Sequence, residues 1–150
     1  LSDDYQIILI GLSKQKMKKL HPKIHGVMRT NSMEELAEYY SVADAYVNTT
    51  LEDTFPTTNL EALACGTPVL ATRVGGIPDI ATPAHDVGCL VDYGDRAGLA
   101  AALEAVMANP AQLTRWGANG PRVVAETFSV ATQSARMLAL YEGRNDPRWN

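Results

Sequence analysis

Residues 48–79 read NTTLEDTFPTTNLEALACGTPVLATRVGGIPD, and this stretch carries the pattern that predicts the fold. Together with the residues just before it, the stretch contains a strand over 45–48, a helix from Pro56 or Thr57 to Cys65, and a strand over 68–73. Gly66 ends the helix, because glycine is favoured directly after a helical C-terminus. Two strands joined through a helix form a right-handed βαβ unit, which predicts an α/β domain with a parallel sheet.

The rest of the chain continues this alternation of short apolar runs and helical patterns. Further strands are predicted over 7–12 (buried), 23–28 and 88–92, and helical segments over 14–20, 33–42, 78–81, 96–108, 111–126 and 130–141. The predicted architecture is a Rossmann-like, three-layer sandwich with a mainly parallel sheet covered by helices on both faces. The whole chain, residues 1–150, is predicted to form one domain.

Composition narrows the function classes. The chain has 150 residues, of which 46% are hydrophobic and 20% charged, which is ordinary for a globular domain. A net charge of -4 argues against a nucleic-acid partner, because such proteins usually present a basic stripe. Cys65 and Cys89 lack metal-ligand spacing and do not cluster with the three histidines. The sequence therefore predicts free thiols, no metal site and no cofactor.

The loop after the predicted third strand carries the candidate binding residues. In parallel sheets, ligands bind beyond the carboxyl ends of the strands. The helix start there offers the backbone amides of Thr57, Thr58 and Asn59, and a helix N-terminus attracts anions such as a diphosphate. The carboxylate of Glu61 can accept hydrogen bonds from two neighbouring hydroxyls, each worth about 1.5–3 kcal/mol.

A simpler explanation exists for each of these acids. An acid near a helix N-terminus is common merely because it complements the helix dipole. The adjacent Glu52 and Asp53 are equally typical of a solvated loop. From the residues alone, the pattern predicts an anionic ligand site and nothing more specific.

The same segment resembles the signature of retaining glycosyltransferases of family four, which have the two-domain GT-B architecture. That signature is an acid, then Phe-Gly, then Glu-Ala in a helix followed by a Gly-x-Pro-Val strand. Seven residues separate Asp53 from Glu61, Phe55 follows Asp53 by two, and residues 61–69 read EALACGTPV. The motifs at 43–45, 75–79 and 126–129 resemble further conserved family segments, so the resemblance spans nearly the whole chain.

The resemblance implies a C-terminal, donor-binding half of a GT-B enzyme that uses a UDP-, GDP- or ADP-sugar. It implies that Glu61 holds the ribose hydroxyls and that Asp53 contacts the donor sugar, with Glu52 as an alternative contact. The resemblance also implies contacts with the nucleotide-sugar donor for Phe55, Pro56, Thr57, Thr58 and Asn59. It implies contacts with the nucleotide base for Gly11, Met28 and Arg29. Transfer with retention to a glycan or lipid-linked acceptor, usually without a bound metal, is the implied chemistry.

The sequence departs from the family pattern at three positions. Asp53 replaces the usual Glu, Asp79 replaces another Glu, and Pro56 replaces the usual Gly. Because proline has no N–H, Thr57 or Thr58 must supply the hydrogen bond that the glycine amide would give. No Arg/Lys pair of the kind that grips the diphosphate in this family precedes Ile7.

These features predict a C-terminal fragment that lacks an acceptor domain and is inactive when isolated. A non-catalytic nucleotide-binding or interaction module is an alternative function, and a GT-B-fold sugar-nucleotide epimerase is another. The expected location is the cytoplasm. A lysine cluster over 14–23 is compatible with peripheral contact at the inner face of a membrane, although a solvated helix face explains it more simply.

Overall fold

A computed structural model describes residues 5–144 as a parallel α/β domain. The strands are β1 (Ile7–Ile10), β2 (Ile24–Val27), β3 (Tyr46–Asn48), β4 (Val69–Thr72) and β5 (Gly88–Val91). The helices are α1 (Lys14–Met17), α2 (Met33–Val42), α3 (Thr57–Ala64), α4 (Ile77–Ile80), α5 (Arg96–Met107), α6 (Pro110–Val123) and α7 (Val130–Tyr141). The alternation of strands and helices therefore follows the predicted order.

All strand pairs within residues 5–144 are parallel, but they form two sheets. β1 pairs with β2, and β3, β4 and β5 form a second sheet in that order. The crossover helix α3 packs against α2 and α6 beside the larger sheet. Parallel pairing through helical crossovers confirms the predicted fold class.

The prediction that the first strand is buried is wrong. Ile7, Leu9 and Ile10 of β1 are 41%, 38% and 38% exposed. Helix α1 has only four residues, and the side chain of Met17 lies against Gly26 of β2. A helix of one turn is too short to shield a strand, so the apolar side chains of β1 remain partly in solvent.

The core lies between the three-stranded sheet and the helices around α3. Leu63 on α3 and Ile77 and Ile80 on α4 are fully buried, as is Val87 just before β5. Complete burial of such a side chain contributes roughly 1.5–3 kcal/mol. Burial of α3 on this side fixes the helix whose N-terminus faces the carboxyl edge of β3.

The chain after α6 differs from the single helix predicted over 111–126. Helix α6 ends at Val123, and residues Val124–Phe128 form a π-helical turn. Two side chains of α7, Gln133 and Arg136, donate to the carbonyl oxygen of Thr127 in this turn. Supplying external donors to unpaired carbonyls stabilises such a helix end.

A polar corner joins the segment before β5 to α6. Asp86 adopts a left-handed backbone conformation, with φ of 49°. Its carboxylate accepts hydrogen bonds from Trp116 Nε1 at 2.7 Å and from Arg115, which also forms an ion pair with it. The indole hydrogen bond, with help from Arg115, lowers the pKa of Asp86.

The lowered pKa of Asp86 predicts that the stability of the folded domain depends on pH in the acid range. Because the pKa of Asp86 is lower in the folded state, its contribution to stability is complete above about pH 3.9, the value for an unfolded aspartate. That contribution is lost as the pH falls through the folded-state pKa. Asp86→Asn, which tolerates the same backbone conformation, should therefore show a shallower loss of unfolding free energy between pH 5 and 2 in denaturant titrations.

The exposed Asp44→Asn substitution on the same chain serves as a control for the loss of one charge. Equal acid slopes for Asp86→Asn and the unmodified protein would show that the corner contributes nothing to the acid response.

No helix within residues 5–144 is both long enough and apolar enough to cross a membrane.

Candidate functional site

The candidate site lies where β3 and β4 end. Asn48, the last residue of β3, donates from Nδ2 to Asn59 Oδ1 of α3 at 2.8 Å and accepts the Thr50 amide at 3.1 Å. Thr72, the last residue of β4, donates its hydroxyl to the Thr50 carbonyl at 2.7 Å. Both strand ends therefore anchor the first part of the loop over 49–56.

Asn59 is an unusual residue in this anchor. Its side chain is fully buried, and its Nδ2 has no hydrogen-bond partner among the described residues. Its Oδ1 is already committed to Asn48, so an amide flip would not resolve the missing bond. A buried polar group is normally hydrogen-bonded, so this side chain singles out the start of α3.

A pair of glycines holds the second part of the loop. The Gly76 amide donates to the Thr54 carbonyl at 2.9 Å. Gly75 has a left-handed φ of 51°, and a Cβ there would lie 1.7 Å from the Asp53 carbonyl oxygen. The acidic loop thus rests directly on the backbone of Gly75 and Gly76, which no side chain could replace without moving the loop.

The two adjacent acids have different surroundings. Glu52 is exposed, whereas Asp53 is half-buried and its Oδ1 accepts the Phe55 amide at 3.0 Å. This bond satisfies the Phe55 amide within the protein. The Phe55 ring contacts the Phe128 ring, with centroids 5.8 Å apart.

Helix α3 begins with backbone N–H groups that have no hydrogen-bond partner among the described residues. Pro56 precedes the helix, lacks an N–H, and provides no side-chain cap. The Asn59 amide bonds to the Pro56 carbonyl at 3.2 Å, which leaves the Thr57 and Thr58 amides free among the described residues. Both threonines are exposed. Two free amides at the positive end of a helix form a favourable position for a phosphate oxygen.

Glu61 lies one turn further along α3 and is half-buried. Its Oε2 accepts a hydrogen bond from the Tyr40 hydroxyl of α2 at 3.2 Å. The carboxylate is therefore held against the protein at one oxygen and is not turned freely into solvent. Its second oxygen remains available to hydroxyl donors.

The three residues predicted to flank a base lie in the other sheet. Gly11 follows β1, where its amide donates to the Val27 carbonyl at 3.0 Å, and Met28 and Arg29 follow β2 and are exposed. Each of them follows the carboxyl end of its own strand, as Thr49 follows β3. Among the described residues, no hydrogen bond or ion pair joins these three to the loop over 49–56 or to α3.

Arg73 at the end of β4 pairs with Asp92 after β5, with 3.4 Å between Nε and Oδ1, and both side chains are exposed. Asp92 lines an open cleft of about 350 Å³, together with residues that include Thr49, Thr72, Tyr93 and Arg96. Within residues 5–144, no group of three or more His, Cys, Asp or Glu side chains is arranged to hold a metal ion.

Several contributors were not identified from sequence. Asn48 is the last residue of the strand predicted over 45–48, Thr72 lies inside the strand predicted over 68–73, and Tyr40 lies inside the helix predicted over 33–42. Polar residues in the last position of a parallel strand were the available signal, since these positions face the ligand edge. Tyr40 had no such signal, because its partner is 21 positions away.

The fold and this site define a Rossmann-like α/β domain with a helix N-terminus at the carboxyl edge of a parallel sheet. Comparison with known proteins names the family: residues 1–109 match the model for Glycosyl transferases group 1. The chain belongs to this family.

Similar proteins agree with that assignment. The MMP alpha-(1->4)-mannosyltransferase of Mycolicibacterium hassiacum is 35% identical over 111 residues, which are 74% of this chain and 27% of that protein. The structure resembles sucrose-phosphate synthase from Thermosynechococcus elongatus, with a TM-score of 0.78 and 30% identity over 92% of this chain and 38% of the other.

It also resembles HepE from Anabaena, solved with UDP, with a TM-score of 0.76 and 21% identity over 92% of this chain and 42% of that one. The Rossmann-like, GT-B assignment is thereby confirmed. The chain spans about a quarter to two fifths of these relatives.

Proposed function

We propose that this chain is the donor-binding domain of a longer glycosyltransferase, and that it binds a nucleoside diphosphate sugar. The observation that carries the proposal is the start of α3. There, the free Thr57 and Thr58 amides lie one helical turn from the Glu61 carboxylate, at the carboxyl edge of β3. A nucleoside diphosphate offers the matching groups, a diphosphate beside a ribose diol.

Each group has a role in this proposal. The amides of Thr57 and Thr58 bind phosphate oxygens and offset the negative charge that grows on the leaving diphosphate during transfer. Glu61 accepts hydrogen bonds from the ribose hydroxyls. Asp53 contacts hydroxyls of the donor sugar through the oxygen that Phe55 does not occupy.

The donor is a UDP-, GDP- or ADP-sugar, and a hexosyl unit passes with retention to a glycan or lipid-linked acceptor. The UDP bound in the HepE structure belongs to this class of ligand. An N-terminal domain in the full-length protein holds the acceptor, so the isolated domain binds donor without completing transfer.

Glu61→Ala in the full-length protein is expected to weaken nucleotide-sugar binding by at least about tenfold, or about 1.4 kcal/mol. The reason is that the substitution removes a charged acceptor from two hydroxyl hydrogen bonds. A thermal-shift panel of UDP, GDP, ADP and their sugars selects the donor, and calorimetry then gives the two dissociation constants.

Glu104→Ala, on the exposed face of α5, is the matched control and should bind like the unmodified protein. Unchanged affinity in Glu61→Ala would remove the proposed role of Glu61. Donor binding without any glycosyl transfer by the full-length protein would favour the non-catalytic module, and product analysis would reveal an epimerase.

A further inference from the structure

Tyr40 is the side chain that fixes the carboxylate of Glu61. It lies in the last turn of α2, is only 9% exposed, and donates its hydroxyl to Glu61 Oε2 at 3.2 Å. Its ring meets the Tyr46 ring edge-on, with 5.5 Å between centroids, and its carbonyl accepts the Thr67 hydroxyl at 2.6 Å. Tyr40 is thus held from three sides, while Glu61 is held by Tyr40.

The hydroxyl of Tyr40 remains a donor under all ordinary conditions. Burial raises the pKa of Tyr40 far above its usual value, and the nearby Tyr46 and Glu61 raise it further. The phenol therefore stays protonated, and a protonated phenol facing a carboxylate can only donate to it. Hydrogen bonds to an ionised acceptor are among the stronger ones in proteins.

This contact restricts what Glu61 can offer a ligand. One oxygen already accepts a hydrogen bond from the Tyr40 hydroxyl, and a glutamate side chain on a helix surface is otherwise free to change rotamer. Holding Oε2 orients the plane of the carboxylate and leaves Oε1, which has two lone pairs, for the two hydroxyls of a diol. Orientation of a binding group by a buried neighbour is what gives a polar site its selectivity.

We propose that Tyr40 is a positioning residue that sets the preference of the site for ribonucleotides over 2′-deoxyribonucleotides. The proposal rests on the proposed function, since it assigns the ribose diol to Glu61. A carboxylate held in one orientation can accept from both hydroxyls of a diol. A mobile carboxylate can still meet one hydroxyl and so distinguishes the two sugars less well.

The test measures dissociation constants of UDP, GDP and ADP, and of their 2′-deoxy counterparts, for the full-length protein and its Tyr40→Phe variant. Phenylalanine keeps the ring that contacts Tyr46, so the fold is expected to survive, and the melting temperature verifies this. Tyr40→Phe should weaken ribonucleotide binding about fivefold and deoxynucleotide binding less than about twofold, which narrows the selectivity ratio. Tyr39→Phe, the preceding residue of α2, is the control and should leave both constants unchanged.

A purely structural role for Tyr40 predicts a different result, in which both classes of nucleotide weaken equally and the selectivity ratio is unchanged. That result, or no change at all, would overturn the inference.

The double variant Tyr40→Phe/Glu61→Ala should bind no worse than Glu61→Ala alone, because the two residues act as one unit. Loss of selectivity in Glu61→Ala but not in Tyr40→Phe refutes only the role of Tyr40. Unchanged selectivity in Glu61→Ala refutes the proposed function of Glu61 itself.

Discussion

Replacement of Gly75 by alanine is expected to remove most donor binding and to destabilise the domain by about 3 kcal/mol or more. The added Cβ would lie 1.7 Å from the Asp53 carbonyl oxygen, a separation that two unbonded atoms cannot adopt. The loop must therefore move, and with it Asp53 and the hydrogen bond from Gly76 to Thr54. The left-handed φ of 51° adds about 1–2 kcal/mol for any residue with a Cβ.

Gly94→Ala separates these two causes. Gly94 also has a left-handed φ, of 82°, but an added Cβ there meets no atom within 4 Å. The Gly94→Ala variant should lose only the free energy of unfolding that the left-handed backbone conformation costs, about 1–2 kcal/mol in urea titrations. It should bind nucleotide like the unmodified protein. If Gly75→Ala and Gly94→Ala behaved alike in both stability and binding, the support of the acidic loop by Gly75 would be refuted.

Replacement of Gly120 by valine is expected to lower the free energy of unfolding by about 3 kcal/mol. It should also displace α3, the helix that carries the candidate binding residues. Gly120 lies on the side of α6 that packs on α3, and a Cβ there would come within 2.5 Å of the Leu63 carbonyl oxygen. Gly117, one turn earlier, meets the Gly66 carbonyl in the same way, at 2.6 Å. The two helices approach backbone to backbone, so a branched side chain must push α3 away from α6.

Ala118→Val, on the exposed side of the same helix, controls for the helix propensity of valine. It should change the free energy of unfolding by less than about 1 kcal/mol. Because α3 carries Thr57, Thr58 and Glu61, Gly120→Val should also weaken nucleotide binding at temperatures where it remains folded. A stable Gly120→Val protein with unchanged affinity would show that α6 does not position α3.

Local chemistry explains what could be predicted before the structure was known. Helix α3 and its neighbouring strands follow from the apolar runs on either side of residues 57–64, from Gly66 after the helix, and from Pro56 before it. The free amides at its start follow from the same local pattern, since a proline start leaves the next donors unpaired. These features depend on residues close together in the chain, so they can be recognised in the sequence.

Contacts between distant residues could not be predicted. The exposure of β1 depends on which strands and helices cover it, and the sequence of an apolar run is the same in either case. The contact of Gly75 with the Asp53 carbonyl joins two loops from different strands, and its geometry depends on how far β4 extends relative to β3.

The sequence by itself determined the order of the elements, the parallel α/β class, and the helix start with Glu61 one turn behind it. Only the tertiary structure decided that Tyr40 holds Glu61, that Asn48 and Thr72 anchor the loop, and that Phe55 donates its amide to Asp53. The physical reason is the distance along the chain over which the deciding interactions act. Helix ends and turns are fixed by interactions over a few residues, whereas the orientation of a side chain in the site depends on neighbours that only packing brings together.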